Sequence, residues 1–432
     1  MQAKIRQVLG SRIWDSRGRP TVEVEVTLAC GAKGRGIAPA GASRGKNEAV
    51  DLRDGGSILG GFGVDRAVAN VNGPIAKAIL GIDASDQQLI DRILVDLDRT
   101  PDRSRLGGNA MIATSMAVLH AAAAAHGSSL WRYLAGDSNV KMPLPQIQIF
   151  GGGAHAGRRT DIQDFLIMPV GAHSFDEAMS MAAEVYRSAG ELLRAKGRLG
   201  GVADEGGWWP DFESNEEALE MVVRAIDNAG YRNGEVRIAL DIAASEFGSR
   251  GVYKLALEKR EFDTDGWLEL LLDWVDRYSI ASVEDPVGED DPDGMHAFTR
   301  AVGDRIQVVG DDFLVTSAER IKTAARAGQC NAVLIKPNQA GTITESRQAV
   351  DVAKRLGWGT IVSARSGESE DVIIAHLATG WNAGQIKVGS FARSERMAKW
   401  NELLRIEKQL GSATQYFGGS VLPADPRRVL QV

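Results

Sequence analysis

The strongest constraint on this chain is a series of short apolar runs, each closed by a charged residue. Ile238-Ala239-Leu240 runs into Asp241, Ala281-Ser282-Val283 into Glu284, and Val308-Val309-Gly310 into Asp311. Val333-Leu334-Ile335 runs into Lys336, Thr360-Ile361-Val362 into Ser363-Ala364-Arg365-Ser366, and Gln385-Ile386 into Lys387. Short apolar runs that alternate with helical segments predict buried parallel strands of βα units. Successive markers stand about 25 to 43 residues apart, roughly one βα unit each. Charged groups at the C-terminal ends of such strands are where a barrel enzyme keeps its chemistry.

The 432 residues are more than one domain usually holds. Thr21-Val22-Glu23-Val24-Glu25-Val26-Thr27-Leu28 alternates apolar and polar, which predicts a half-buried strand in a meander starting near Ile5. From about Val64 to His126 the pattern is helical, with an Ala-rich stretch after Asn109 suited to close helix packing. Strands followed by helices predict an α+β domain over 1–135. Pro143-Leu144-Pro145 reads as a hinge into a β/α barrel domain, 140–432, that ends in a C-terminal tail. Gly151-Gly152-Gly153-Ala154-His155-Ala156-Gly157 reads as a mobile turn, with His155 the one obvious functional group for a lid.

Net charge is −7, which gives no electrostatic case for nucleic acid or an acidic membrane. An anionic substrate would need local cations. Two cysteines, Cys30 and Cys330, exclude a disulfide scaffold, although they are free to pair, and they fit a reducing cytoplasm. The start, Met1-Gln2-Ala3-Lys4-Ile5-Arg6, has no apolar signal region, and no stretch reads as long enough to span a bilayer.

At one end of a barrel, Asp241, Glu284 and Asp311 would repel one another unless a cation sits among them. A hard divalent ion, typically Mg²⁺, resolves this; pairing with Lys or Arg, or capping of helices, is the other reading. Lys336 and Lys387 end apolar strands, where desolvation and a nearby cation lower an amine's pKa. One of them is then available as a general base, or both neutralise the acidic cluster. Arg365-Ser366-Gly367 supplies a bidentate cation and a hydroxyl suited to phosphate, unless Arg365 pairs with Glu368. Asp204-Glu205-Gly206-Gly207 puts a carboxylate in a glycine turn, a weak signal alone. These residues point to metal-assisted proton abstraction from a phosphorylated acid.

The chain resembles the enolase family along nearly its whole length. The resemblance rests on Asp15-Ser16-Arg17-Gly18, Gly41-Ala42-Ser43, Gly152-Gly153-Ala154-His155-Ala156, Asp204-Glu205-Gly206-Gly207 and Leu240-Asp241-Ile242-Ala243-Ala244-Ser245-Glu246-Phe247. It continues through Val283-Glu284-Asp285-Pro286, Gly310-Asp311-Asp312, Asn338-Gln339, Arg365-Ser366-Gly367-Glu368 and Gly384-Gln385-Ile386-Lys387. It implies an α/β fold: a modified (β/α)8 barrel with a small α+β capping domain. By resemblance Asp241, Glu284 and Asp311 hold a first Mg²⁺, and Ser43 on the cap loop a second. Lys336 is the base and Glu205 the acid for the leaving hydroxyl, with Asp164 as its partner. Lys387 holds the substrate carboxylate, and Arg365, Ser366 and His155 hold the phosphate. A homodimer or a ring of dimers is implied too. Family members of this kind use a Lys or His base with one or two Mg²⁺.

Some positions depart from the family pattern. Ala364 stands where a His is usual, and Asp164 where a Glu is usual. Ala40, Arg44, Asn47, Gly151, Trp208, Trp209 and Pro337 differ as well. Such departures around an intact set of metal and base residues suggest enolate chemistry on an altered substrate, a phosphonate or phosphinate analogue. That reading resembles the carboxyphosphonoenolpyruvate synthases of secondary metabolism. The alternative is an ordinary enolase acting on 2-phosphoglycerate; a third is a catalytically dead binding protein.

Overall fold

The computed structural model describes residues 3–232 and 234–424. Residues 1–2, 233 and 425–432, which take in the first residues of the predicted start and the end of the predicted tail, lie outside the described residues.

The N-terminal meander is an antiparallel sheet of β1 (Ile5–Trp14), β2 (Pro20–Leu28) and β3 (Lys33–Ile37), in that order. The alternation read in β2 is physical: Val22, Val24, Val26 and Leu28 are wholly buried while Glu23 and Glu25 face outward. The buried face rests on the helix Gly108–His126. Contact there is backbone on backbone. A Cβ on Gly34 would come within 2.1 Å of the Ala121 nitrogen, and one on Gly36 within 2.5 Å of the Ala113 carbonyl. Small residues on both sides permit that approach, which is why the helix is Ala-rich.

This helix corrects one expectation. Its 19 residues are long and apolar enough to cross a membrane, yet 83% of the qualifying window is buried inside the protein. It is a core helix. The predicted helical region is also interrupted, with separate helices at Asp65–Asn70, Gln87–Asp98 and Gly108–His126.

The second body is a closed eight-stranded barrel. Its strands are β4 (Leu144–Gly151), β5 (Asp164–Met168) and β6 (Arg237–Asp241), then β10 (Ile280–Glu284), β11 (Gln307–Gly310), β12 (Ala332–Ile335), β13 (Gly359–Ser363) and β14 (Gly384–Gly389). Between β6 and β10 an excursion forms a small sheet of β7 (Gly248–Ser249), β8 (Val252–Leu255) and β9 (Arg260–Asp263).

One barrel strand runs the other way. β5 pairs antiparallel with both β4 and β6, and two helices, Phe175–Ala195 and Asn215–Asn228, follow it before β6. The reversal decides the site. The first residue of β5, Asp164, lies opposite Asp241 at the last residue of β6. A strand start is thereby placed among strand ends.

The barrel core is tightly filled, with Trp267, Trp274, Phe165, Phe175 and Phe298 wholly or almost wholly buried. Cys30 is exposed and Cys330 buried, both free, so the pairing left open by the sequence does not occur.

Candidate active site

Five strand ends bring the predicted charges together. Asp241 and Glu284 are the last residues of β6 and β10, Asp311 and Lys336 follow β11 and β12 directly, and Lys387 lies in β14. All are buried. Lys387 Nζ lies 2.6 Å from Asp241 Oδ2, 2.8 Å from Glu284 Oε2 and 3.6 Å from Asp164 Oδ2. Lys336 Nζ pairs closely with Asp311 Oδ2. The two lysines thus neutralise the acidic cluster.

The protonation state of Lys336 differs from the expectation. Burial works against its charge, but Asp311 and Glu284 outweigh burial and raise its pKa above the ordinary lysine value. Lys387 is pushed up further, against burial, by Asp241, Glu284 and Asp164. Glu284 is held well above the usual carboxylate range by burial and by Asp241, partly offset by Lys387.

Asp311 is positioned by neighbours without any role in the sequence reading. Asp285 takes a left-handed backbone (φ 41°), and its carboxylate accepts the Asp311 and Asp312 N–H groups at 2.9 and 2.7 Å. Gln339 Nε2 donates to Asp311 Oδ1 at 2.9 Å, and Thr316 Oγ1 donates to Gln339 Oε1 at 2.6 Å. The Lys336 N–H donates to Thr316 Oγ1 at 3.0 Å, which sets the strand end carrying the amine. Asp285 is the second member of the adjacent acidic pair Glu284-Asp285, visible in the sequence, and it turns its carboxylate to the backbone of the other pair, Asp311-Asp312.

Across the cavity is a second cluster. The glycine run is a short helical turn, Gly153–Ala156, and His155 is buried in it rather than carried on an open lid. His155 Nδ1 lies 3.3 Å from Asp164 Oδ1, and its Nε2 lies 3.7 Å from Glu205 Oε1 and 3.0 Å from Ser366 Oγ. Burial disfavours the imidazolium, but Glu205 and Asp164 raise its pKa to about 9. Asp164 is held down at about 2, against burial, by His155, Lys387 and Gln148. Gln163, the residue before it, donates to Asp241 Oδ2 at 3.0 Å.

Arg365 departs from the sequence reading. Its guanidinium does not pair with Glu368, whose carboxylate accepts the Arg365 N–H at 3.0 Å and pairs with Lys399 at 2.9 Å. The guanidinium turns to the cap instead. Nη1 donates to Glu48 Oε2 at 2.8 Å and Nη2 to the Ser43 carbonyl at 3.0 Å. Ser366 Oγ accepts the Ala42 N–H at 3.1 Å, and Ala40 and Gly367 exchange backbone bonds of 2.9 and 2.8 Å. The cap loop is thereby latched to the barrel mouth, with Ser43 buried at the same cavity. The cavity is lined by His155, Asp164, Glu205, Asp241, Lys336 and Lys387, among others.

The departures from the family pattern sort by position. Ala364 and Asp164 line the cavity. Trp208 does not: its ring stacks on Tyr186 at 4.6 Å and its indole N–H donates to the Tyr186 carbonyl at 2.9 Å. Trp209 lies 6.0 Å beneath the Arg159 guanidinium. Arg44 and Asn47 are exposed. The sequence reading put at least five of the departures within the site without sorting them, because nearness along the chain does not tell which way a side chain points.

The donor set suits a hard divalent ion. Asp241, Glu284 and Asp311 offer buried carboxylate oxygens, Lys387 draws the first two to one point, and Glu284 Oε1 is buried without a hydrogen-bond partner. Two further acidic groups among the described residues bring three ligand atoms close together, His155/Asp164/Glu205 and Asp285/Asp311/Asp312.

Comparison with known proteins gives two family-model matches: an enolase N-terminal domain over residues 5–134 and an enolase C-terminal TIM barrel domain over residues 139–424. The chain is similar to "Enolase 1" of Desulfitobacterium hafniense (strain Y51), 48% identical over 425 residues, which cover 98% of this chain and 97% of that protein.

Proposed function

The chain belongs to the enolase family of carbon–oxygen lyases, and on that premise we propose that it interconverts 2-phosphoglycerate and phosphoenolpyruvate. One observation carries the reading: an amine, Lys336, and a carboxylate, Glu205, face one cavity floored by Asp241 and Lys387. Base and acid on two walls suit the loss of a proton and a hydroxyl from neighbouring carbons.

Lys336 takes the proton from the carbon beside the substrate carboxylate. The electron pair moves into the carboxylate, giving an enolate, and then returns to form the carbon–carbon double bond. The β-hydroxyl leaves as water with a proton from Glu205. Lys336 accepts a proton only when neutral, so its pair with Asp311 loosens in the reacting complex. Lys387 holds the substrate carboxylate, and His155 and Ser366 hold the phosphate. Arg365 joins them by sharing its guanidinium with Glu48. Asp241, Glu284 and Asp311 would hold Mg²⁺, with Ser43 toward a second ion; bound there, the metal stabilises charge gathering on the carboxylate. The family resemblance supports a homodimer or a ring of dimers at work in the cytoplasm.

The phosphonate-pathway reading is the weaker of the two. The resemblance to an "Enolase 1" favours the ordinary reaction. Only Ala364 and Asp164 among the departing side chains at issue line the cavity, which keeps an analogue with a larger phosphorus substituent as the second reading. Steady-state turnover of both substrate classes separates them. A kcat/KM for 2-phosphoglycerate of about 10⁵ M⁻¹s⁻¹ or more is expected. A value a thousandfold lower, with efficient use of a phosphonate analogue, overturns the ordinary reading.

A further inference from the structure

Gln148 carries the furthest-reaching unassigned observation. It lies in β4, wholly buried, and does not line the cavity. Its amide bridges two parts of the acid-bearing wall. Oε1 accepts the Gly207 N–H at 2.8 Å, in the turn that carries Glu205. Nε2 donates to Asp164 Oδ1 at 2.5 Å. The orientation of this amide is not a free choice. A backbone N–H only donates, so oxygen must face Gly207 and nitrogen must face Asp164.

Space around the amide is cleared for it. A Cβ on Gly207 would lie 2.4 Å from Gln148 Oε1. A Cβ on Gly151 would lie 3.1 Å from the same oxygen and 2.9 Å from the Ala203 Cβ. The departure at Gly151 therefore belongs with the length of the side chain at 148: a longer side chain at either glycine displaces the bridge. The Gln148 backbone joins the same assembly. Its carbonyl accepts the Ser390 hydroxyl at 2.5 Å, while the Ser390 N–H donates to the Glu205 carbonyl at 2.9 Å. Gln148 is thus the point at which the Asp164 strand, the Glu205 turn and the end of β14 are held in one register.

We propose that Gln148 is a positioning residue that sets Asp164 and Glu205 for departure of the hydroxyl and takes no part in removal of the α-proton. This rests on the proposed function, and it divides the two halves of that reaction between two walls. Lys336 is oriented by Thr316 and Asp311, whereas the hydrogen bonds of Gln148 run to Asp164, Gly207 and Ser390. A misplacement of about 1 Å in a reacting group costs on the order of a hundredfold in rate.

The test compares wild type with Gln148→Leu and Gln148→Asn in the full-length, Mg²⁺-supplied enzyme. Two rates are measured on 2-phosphoglycerate: exchange of the α-proton in deuterated water and formation of phosphoenolpyruvate. Gln148→Leu should lower elimination by about a hundredfold and leave exchange within about threefold. Gln148→Asn keeps the amide but is one methylene short, so the same split should appear at about a tenfold loss. It carries the test if the leucine variant fails to fold. Equal loss of both rates in the asparagine variant, or no loss of either, overturns the positioning role. Crystal structures of wild type and Gln148→Asn read the geometry without any activity. A shifted Asp164 carboxylate and Glu205 turn are expected, and an unchanged pair overturns the proposal. Wild type that neither exchanges nor eliminates overturns the functional reading itself and leaves the crystallographic arm to decide the positioning.

Discussion

Two buried histidines, one at the barrel mouth and one in the helical wall, stand in opposite states. His155 lies among Asp164, Glu205 and Ser366 and stays protonated up to about pH 9. His376, on the helix Ile373–Gly380, lies 3.5 Å from Glu402 and is buried nearly as deeply. Burial lowers its pKa to about 4; Glu402 opposes that and His120 adds to it. Burial alone does not decide charge. Two carboxylates around one imidazole overcome desolvation, and a single carboxylate opposed by a second histidine does not. The mouth is therefore a place of retained, mutually compensated charge, and the wall a place of apolar packing. Damage at the mouth should cost activity, and damage in the wall should cost stability.

The largest expected effect is at the mouth. Lys336→Ala should abolish exchange of the substrate α-proton with deuterated water and lower kcat by about 10³–10⁴-fold, with the circular dichroism spectrum unchanged. Exchange at the wild-type rate would transfer the base role to Lys387.

Next comes the wall. Trp267 is wholly buried, donates its indole N–H to the Pro286 carbonyl at 2.7 Å and packs against Tyr253 and Trp274. Trp267→Ala should cost about 3–5 kcal/mol in urea unfolding while KM for 2-phosphoglycerate holds within about twofold. A large KM change with little loss of stability would break the division between the two regions.

Asp311→Asn removes one charge and one hard oxygen donor from the carboxylate set. Mg²⁺ affinity in a calorimetric titration should fall by at least about tenfold. Unchanged affinity would remove Asp311 from the metal site.

The smallest effect is the pH dependence of stability. The folded pKa of His376 is depressed, so below about 6.5 the unfolded chain binds a proton that the folded protein refuses until about pH 4. Stability should fall across that window, by about 1–3 kcal/mol, and His376→Gln should flatten the fall. The sign at His155 is the reverse. Its pKa is raised, so its contribution is complete below about 6.5 and is lost as pH rises through about 9. Urea midpoints from pH 4 to 10 test both arms, and an acid arm unchanged in the His376 variant would break the comparison.

Much of the fold was legible because β6, β10, β11 and β12 are short, mainly apolar runs closed by a charged residue. The markers Asp241, Glu284, Lys336 and Lys387 fall at or within one residue of a strand end or inside the last barrel strand. The meander was legible from the alternation in β2. The reversed direction of β5 was not legible, since Asp164–Met168 is apolar after its first residue and reads the same in either sense. The partner of Arg365 was missed for a related reason. Glu48 is distant in the chain, and only docking of the cap brings it within 2.8 Å.

The sequence by itself determined which residue types sit at or near the strand ends, because burial of the strands concentrates charge toward the barrel mouth. It also determined the family, through motifs spread over nearly the whole chain. Tertiary structure alone decided which charges meet. Lys387 reaches Asp241 and Glu284 because the barrel closes; Asp164 joins them because β5 runs backward; Trp208 leaves the site because its ring finds Tyr186. Pairing of this kind depends on the direction and closure of the backbone in three dimensions. A linear pattern of burial carries the period of each strand but neither its direction nor its neighbours.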